Sequence, residues 1–177
     1  MWPDVVTFGT LQQARSLRTR MFVKPCDDKC FPSSVYDPGQ LAGMTGSLPD
    51  DIPVLVSEPV EWSREVRAFV LHGKVATASQ YAAGGGLAID GAPEDAMRFL
   101  HRFLTSGSTT PPALALDVGH IVGRGWAVVE ANPAWGAGTY GCDPARVLPV
   151  LERSCLRPRD VSTGDTPWVT HRQAPRP

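Results

Sequence analysis

The sequence lacks several features that would define broad classes of protein. No run of apolar residues approaches the roughly 20 that a membrane-spanning helix needs, and the N-terminus has no basic-then-apolar secretory signal. The formal net charge is only -1, which argues against a strongly basic surface for DNA, RNA or an anionic membrane. We therefore expect a cytoplasmic protein that binds neither nucleic acid nor membrane.

Cysteines are few, and their spacing does not complete a metal site. Cys26 and Cys30 are spaced like half of a zinc site, but Cys142 and Cys155 are too far apart to form the matching half. Disulfides are not expected without a secretory signal. We predict four free, mostly structural thiols, with a zinc-dependent or purely structural domain as the minor alternative.

What the sequence does contain is an ordinary globular composition. Its 177 residues are 42% apolar and 20% charged, enough for one domain with a sizeable core. The order of predicted elements indicates an α+β domain with a largely antiparallel sheet and flanking helices. We assign residues 1–156 to this domain. Residues 157–177 are rich in Pro, Arg and Thr without periodicity, which predicts a disordered tail.

Local patterns place the elements along the chain. A helix is predicted after the N-cap Thr10, and the sharpest hairpin signal is a pair of strands around His72-Gly73. The predicted elements are helices at 11–20, 93–104 and 145–154, strands at 21–25, 54–57, 65–72 and 74–81, a long loop at 26–53 and a flexible segment at 82–86.

The most informative stretch runs from residue 113 to 143. It reads as a buried strand ending at Asp117, a Gly-Arg-Gly turn at 123–125 and a second strand that leads into Glu130-Ala131-Asn132. Glu130 and Asn132 project from one face because side chains alternate along a strand. Carboxylate and amide oxygens are ligands that Mg²⁺ prefers, with substrate phosphates completing its shell. The stretch indicates a nucleotide-metal site.

Each candidate residue also has a simpler interpretation. Asp117 could make a turn beside Gly119, and Lys24 could be an ordinary surface lysine. Glu65 and Arg67, two apart on one strand, could form a surface ion pair of little energetic value. Lys29 could be a solvated loop lysine. Trp135 and Tyr140, in a Gly-rich loop, could stack on a substrate or fill the space under the loop.

Five motifs follow one another in the order of a known fold. They are Lys24 at the end of a strand, Ser57-Glu58-Pro59-Val60, Glu65-Val66-Arg67, Asp117 and Glu130-Ala131-Asn132. This order resembles the ATP-grasp fold. The segments EVRAFVLHGKVATASQY and WAVVEANPAWGAGTYGCDP are most similar to the R-two-K clade of ATP-grasp proteins, over about residues 20 to 155.

The resemblance implies roles for ten residues around Mg-ATP, with ATP and Mg²⁺ as cofactors. Lys24 and Arg67 would be the catalytic cations, Lys24 on the ATP phosphates and Arg67 on the γ-phosphate or an acyl phosphate. Lys29 would be a second phosphate contact, and Glu65 would orient Arg67 or accept a ribose hydroxyl. The backbone of Glu58, Pro59 and Val60 would hold the adenine edge. The metal ligands would be Asp117, Glu130 and Asn132.

The resemblance also implies an activity. ATP-grasp enzymes activate a carboxylate as an acyl phosphate, which an amine or another nucleophile then attacks. We expect an ATP-dependent ligase that joins a small-molecule or peptide carboxylate to an amine or thiol acceptor. The N-terminal domain that usually precedes the grasp is expected to be short or absent, so a partner protein could complete the acceptor site. The alternative is a non-catalytic nucleotide-binding module with a regulatory or scaffold role.

Overall fold

The structure, a computed structural model, describes residues 6–26 and 29–169. The chain divides into two compact units, Met1–Glu61 and Trp62–Pro177, and each has its own hydrophobic core. Both units combine helices with antiparallel sheet, which confirms the predicted α+β class. No helix in the described ranges is long and apolar enough to cross a membrane.

The first unit is built on a four-stranded sheet of order β1-β4-β2-β3. A core that includes Leu11, Val23 and Val54 packs between the sheet and two short helices. The long loop predicted at 26–53 contains one strand and one helix of this unit. Its elements are β1 (Thr7–Thr10), α1 (Leu11–Arg15), β2 (Met21–Pro25), β3 (Ser34–Tyr36), α2 (Gln40–Thr45) and β4 (Pro53–Ser57).

Helix α1 begins where predicted but ends early. Thr10 and Gln13 form a reciprocal capping box, in which each side chain accepts from the other residue's backbone N–H. The prediction that the helix reaches Arg20 is wrong. The N–H and the hydroxyl of Ser16 both donate to the carbonyl of Gln13, which closes the last turn after Arg15.

The second unit is built on a five-stranded sheet of order β7-β6-β5-β8-β9. The predicted turn at His72-Gly73 is present, and both residues have positive φ. Residues 82–86 are not a loose segment: β6 extends through Ala83, and Gly84-Gly85 turn the chain into a strand that the sequence analysis missed. The elements are β5 (Trp62–Leu71), β6 (Lys74–Ala83), β7 (Gly86–Gly91), α3 (Glu94–Thr105), β8 (Ala113–Ile121), β9 (Gly125–Asn132) and α4 (Pro144–Ser154).

The two faces of this sheet are covered differently. Helix α3 packs on one face with Ala96 and Leu100 against apolar side chains of β5 and β8. On the other face, Val147 and Val150 of α4 pack in one cluster with Phe69 of β5 and Ala115 of β8. Polar residues of β5, β8 and β9 also lie on that second face, and they form the candidate site.

Asp117 lies in the middle of β8, not at its end as predicted, because the strand continues to Ile121. The glycine two residues later, interpreted as a turn signal, has a packing role instead. A Cβ on Gly119 would lie 2.3 Å from Cε3 of the Trp62 ring. Gly119 therefore lets Trp62 lie directly on the strand, and Asp117 is held by strand pairing on both sides.

The segment after α4 has more order than its composition predicts. Residues Pro158–Asp160 and Thr166–Trp168 form 3-10 turns. The buried Asp165 carboxylate accepts from the N–H and hydroxyl of Ser162 and pairs with Arg153 of α4. These hydrogen bonds, those from Ser162 first, lower the pKa of Asp165 to about 2, so the pair stays ionised at neutral pH. The last eight residues of the predicted tail, 170–177, lie outside the described residues, and a domain boundary at 156 stays a prediction.

Substituting Gly119 tests the contact with Trp62. We expect Gly119→Ala to lower the free energy of unfolding by about 1–3 kcal/mol, because the added methyl group overpacks against the ring. Urea denaturation would measure the change. Gly91→Ala is the matched control, since Gly91 is also a strand glycine but has no atom within 4 Å of the position of its Cβ. Equal stability of the two variants would contradict the assignment.

Candidate functional site

Strand register brings the polar residues of three strands onto one face. Arg67 of β5 lies opposite Asp117 of β8, and Asp117 lies opposite Glu130 of β9. Residues paired in an antiparallel ladder project from the same face. Asn132 lies opposite Ala115, which is two residues before Asp117 on β8, so Asn132 shares this face. We call Glu65, Arg67, Asp117, Glu130 and Asn132 the polar strip.

The centre of the polar strip is a buried ion pair. Arg67 Nε donates to Asp117 Oδ1 at 2.8 Å, and Arg67 Nη2 donates to Asp117 Oδ2 at 2.6 Å. Arg67 is 8% exposed and Asp117 only 1%. The hydrogen bonds from the guanidinium to Asp117 raise the pKa of Arg67, so the group is permanently cationic. A bidentate pair of this kind fixes the plane of the guanidinium as well as its position.

Two further contacts hold Arg67. Its Nη1 donates to the carbonyl of Gly138 at 3.1 Å, and its Cζ lies 5.6 Å from the ring centre of Tyr81 and 5.1 Å from that of Tyr140. A guanidinium has five N–H groups, of which three are engaged by Asp117 and Gly138. The other two N–H groups have no acceptor among the described residues.

Glu130 and Asn132 are joined at the end of β9. Asn132 Nδ2 donates to Glu130 Oε1 at 2.8 Å. Because the amide nitrogen faces the carboxylate, the amide oxygen points elsewhere and is the atom that could bind a cation. This arrangement keeps the two side chains together on the face that also carries Asp117.

The donor set fits the magnesium ion that the sequence predicts. Two carboxylates and one amide supply hard oxygen ligands but fewer than six, which suits an ion that completes its shell with phosphate and water. No group of three or more His, Cys, Asp or Glu side chains within residues 6–26 and 29–169 could hold a metal. Oxygen donors of this kind suit Mg²⁺ better than structural zinc, which favours Cys and His ligands.

Glu65 lies at the margin of the polar strip. Tyr81 donates its hydroxyl to Glu65 Oε2 at 2.8 Å, and burial, with the nearby carboxylates, raises the pKa of Tyr81. The phenol is therefore a hydrogen-bond donor throughout the working pH range. Glu65 thus holds the hydroxyl of Tyr81, whose ring lies beside Arg67, and its effect on Arg67 is indirect.

The other predicted site residues belong to the first unit. Lys24 is half-buried in β2 opposite Leu55 of β4, and Lys29 is exposed. Glu58, Pro59 and Val60 follow β4 without regular structure, and the carbonyl of Glu58 accepts from the hydroxyl of Ser57 at 3.2 Å. Their roles in nucleotide binding stay predictions, as do the roles of the residues in the polar strip.

The four cysteines differ in exposure. None is in a disulfide within the described residues; Cys142 is buried, Cys26 is half-buried, and Cys30 and Cys155 are exposed. Burial raises the pKa of the Cys142 thiol, which makes it a poor nucleophile.

Sequence reasoning missed two partners of Arg67. Tyr81 and the carbonyl of Gly138 contact the guanidinium. Neither contact is visible in the local sequence, because Tyr81 lies at a register shift between β5 and β6 and Gly138 contributes only a backbone atom. The glycine-rich composition of residues 136–141 was the only available hint of a close-approach loop.

Comparison with protein families identifies the class that this fold and face define. Residues 5–150 match the family model of the ATP-grasp domain, R-two-K clade family 2. The match covers most of the chain. The protein therefore belongs to this ATP-grasp family, which confirms the resemblance inferred from the motifs.

Solved structures agree on the fold. The ATP-grasp ligase PsnB, complexed with a phosphomimetic variant of minimal precursor, Mg and ADP, is 13% identical with a TM-score of 0.51; the match covers 87% of this chain and 53% of that one. The RimK domain ATP-grasp protein from Sphaerobacter thermophilus is 21% identical with a TM-score of 0.51, over 74% and 53% of the two chains. The chain spans about half the length of these structures. No curated protein matches the sequence.

Removing one partner of the buried ion pair tests how much the pair contributes to the stability of the fold. We expect Asp117→Asn to lower the free energy of unfolding by about 3–5 kcal/mol, because it leaves the Arg67 cation buried without its counter-charge. Chemical denaturation would measure the loss.

The matched control for that variant is the exposed pair of Glu94 and Arg98 on α3, whose side chains are 88% and 60% exposed. Glu94→Ala should cost under about 1 kcal/mol, as surface pairs do. A loss in Asp117→Asn no larger than in this control would show that the guanidinium is adequately solvated without Asp117.

Proposed function

We propose that this chain binds Mg-ATP and acts as an ATP-dependent ligase that joins a carboxylate to an amine or thiol through an acyl phosphate. The observation that carries the proposal is the polar strip, where a fixed guanidinium lies beside two carboxylates and an amide oxygen on one sheet face. Phosphoryl transfer needs positioning and charge neutralisation more than covalent chemistry from the protein. The polar strip supplies both.

Within this proposal, bound Mg-ATP supplies the phosphoryl group that activates the carboxylate. Arg67 binds the transferred phosphate or the acyl phosphate with its two remaining N–H groups. Glu130, Asn132 and Asp117 hold the cation. Asp117 can serve both Arg67 and a cation, because each carboxylate oxygen has two lone pairs.

The roles proposed for residues of the first unit rest on the family resemblance alone. Lys24 and Lys29 would neutralise phosphate charge, and the backbone of Glu58, Pro59 and Val60 would contact adenine, as the family resemblance implies. Glu65 would accept a ribose hydroxyl or keep Tyr81 in place beside Arg67.

The proposed chemistry does not specify which carboxylate and which acceptor are joined. PsnB has been solved with a precursor peptide and AMPPNP, so peptides belong among the carboxylates and acceptors to be tested here. A partner protein that completes the acceptor site stays part of the proposal. A cytoplasmic location also stays part of the proposal.

Nucleotide binding tests the metal end of the polar strip. We expect Glu130→Ala and Asn132→Ala each to weaken Mg-ATP binding by at least about tenfold, because each removes one ligand of the ion. Isothermal titration calorimetry with and without EDTA would measure the affinity, and circular dichroism would verify folding. Glu94→Ala, an exposed carboxylate on α3, is the control. Failure of the wild-type chain to bind Mg-ATP would refute the proposal.

Turnover separates the ligase from the alternative module. Continuous release of ADP and phosphate should appear when a carboxylate and an acceptor are present together, drawn from small molecules and peptides, and should be absent when the carboxylate is omitted. Coupled detection of ADP and phosphate would measure it. Mg-ATP binding without ADP release under any combination would instead identify a non-catalytic nucleotide-binding module.

A further inference from the structure

The loop that follows the polar strip is anchored on both sides of Tyr140. Before it, the carbonyl of Gly138 accepts from Arg67 Nη1. After it, a Cβ on Gly141 would lie 2.6 Å from Ser79 Oγ, so only glycine lets the loop come this close to β6. Beyond that, the N–H of Asp143 donates to Thr77 Oγ1 at 3.1 Å. These anchors present Tyr140 to Arg67.

The backbone of Tyr140 is in a conformation that favours glycine. Its φ is 48°, and it occupies the first central position of the turn closed by the N–H of Cys142 and the carbonyl of Thr139. Glycine is the usual residue where such a turn requires positive φ. The neighbouring Gly141 is instead used for close approach to β6. The chain thus keeps a tyrosine at the position where glycine would be unstrained.

The ring of Tyr140 makes contacts that compensate for this conformation. It stacks on Tyr81 with ring centres 4.8 Å apart and planes 12° apart, and its centre lies 5.1 Å from Arg67 Cζ. The side chain nevertheless remains 41% exposed, so it is not an ordinary core residue. Strained backbone that surrounding contacts maintain is a feature of functional sites.

We propose that Tyr140 is a positioning residue that, with Tyr81, holds the Arg67 guanidinium in the plane where it pairs with Asp117 and presents two N–H groups to an anion. The two stacked rings lie beside the guanidinium and restrict the rotamers that Arg67 can adopt. The identity of the anion, a phosphate or acyl phosphate, rests on the proposed function. The positioning of Arg67 does not.

The test uses variants that separate the ring from the backbone. Tyr140→Phe keeps the ring, whereas Tyr140→Gly and Tyr140→Asn remove it and tolerate positive φ. His72→Gly is the matched control, because His72 also has φ 48° but lies in the turn between β5 and β6, away from Arg67. Having two ring-less variants keeps the test decisive if one of them does not fold.

The first readout is independent of any activity. The Arg67 Nε–H resonance, assigned by its loss in Arg67→Lys, reports exchange with water by NMR. We expect exchange to accelerate at least about tenfold in the Gly and Asn variants, because the guanidinium opens more often. The Phe and His72→Gly variants should stay within about twofold of wild type by the same reasoning. Unchanged exchange in the ring-less variants would overturn the proposal.

The second readout is the ADP-release assay. The ring-less variants should lower kcat about tenfold while KM for ATP changes less than about threefold, as expected when a transition-state contact loosens. Faster Nε–H exchange with unaltered kcat would overturn the catalytic part of the inference. Absence of Mg-ATP binding in wild type would sink the proposed function, whereas the exchange measurement would still decide whether Tyr140 positions Arg67.

Discussion

A salt bridge buried within a β-sheet, between Arg67 and Asp117, is the interaction on which the surrounding structure depends. Taking a guanidinium and a carboxylate out of water is costly, and their attraction offsets that cost only when the geometry is good and the remaining hydrogen-bonding groups are satisfied. The structure meets this requirement with two short hydrogen bonds, the carbonyl of Gly138 and the rings of Tyr81 and Tyr140. The path of the loop after β9 thus places a carbonyl and an aromatic ring against Arg67.

The same sheet places an apolar core and the polar strip on opposite faces. Alternation along β5 and β8 sends Val66, Ala68, Leu116 and Val118 to the α3 side, where they form an apolar core. The intervening positions carry the charges. Because α4 covers only one end of the second face, with Phe69 beneath it, the charges occupy a region where hydrogen bonds from a loop can reach them.

Sequence reasoning predicted the fold class, the β5-β6 and β8-β9 hairpins and the family, because these rest on alternation, turn glycines and motif order. It placed the end of a strand at Asp117, since Gly119 reads as a turn signal, and only the three-dimensional position of Trp62 explains that glycine. It assigned Arg67 to a phosphate and Asp117 to a metal ion, as separate candidates. Their pairing depends on the register of β5 against β8, which connects residues 50 positions apart and has no local signature.

The pairing changes how a cation site on this face must work. Asp117 and Glu130 lie directly opposite each other on neighbouring strands, where two like charges repel. Arg67 compensates the charge of Asp117 from the other side, which lessens this repulsion. A cation that binds Asp117 then shares it with a guanidinium whose plane is already fixed. The contacts that fix the plane of Arg67 would therefore also fix the position of its guanidinium relative to that cation. Tyr81 and Tyr140 are among those contacts.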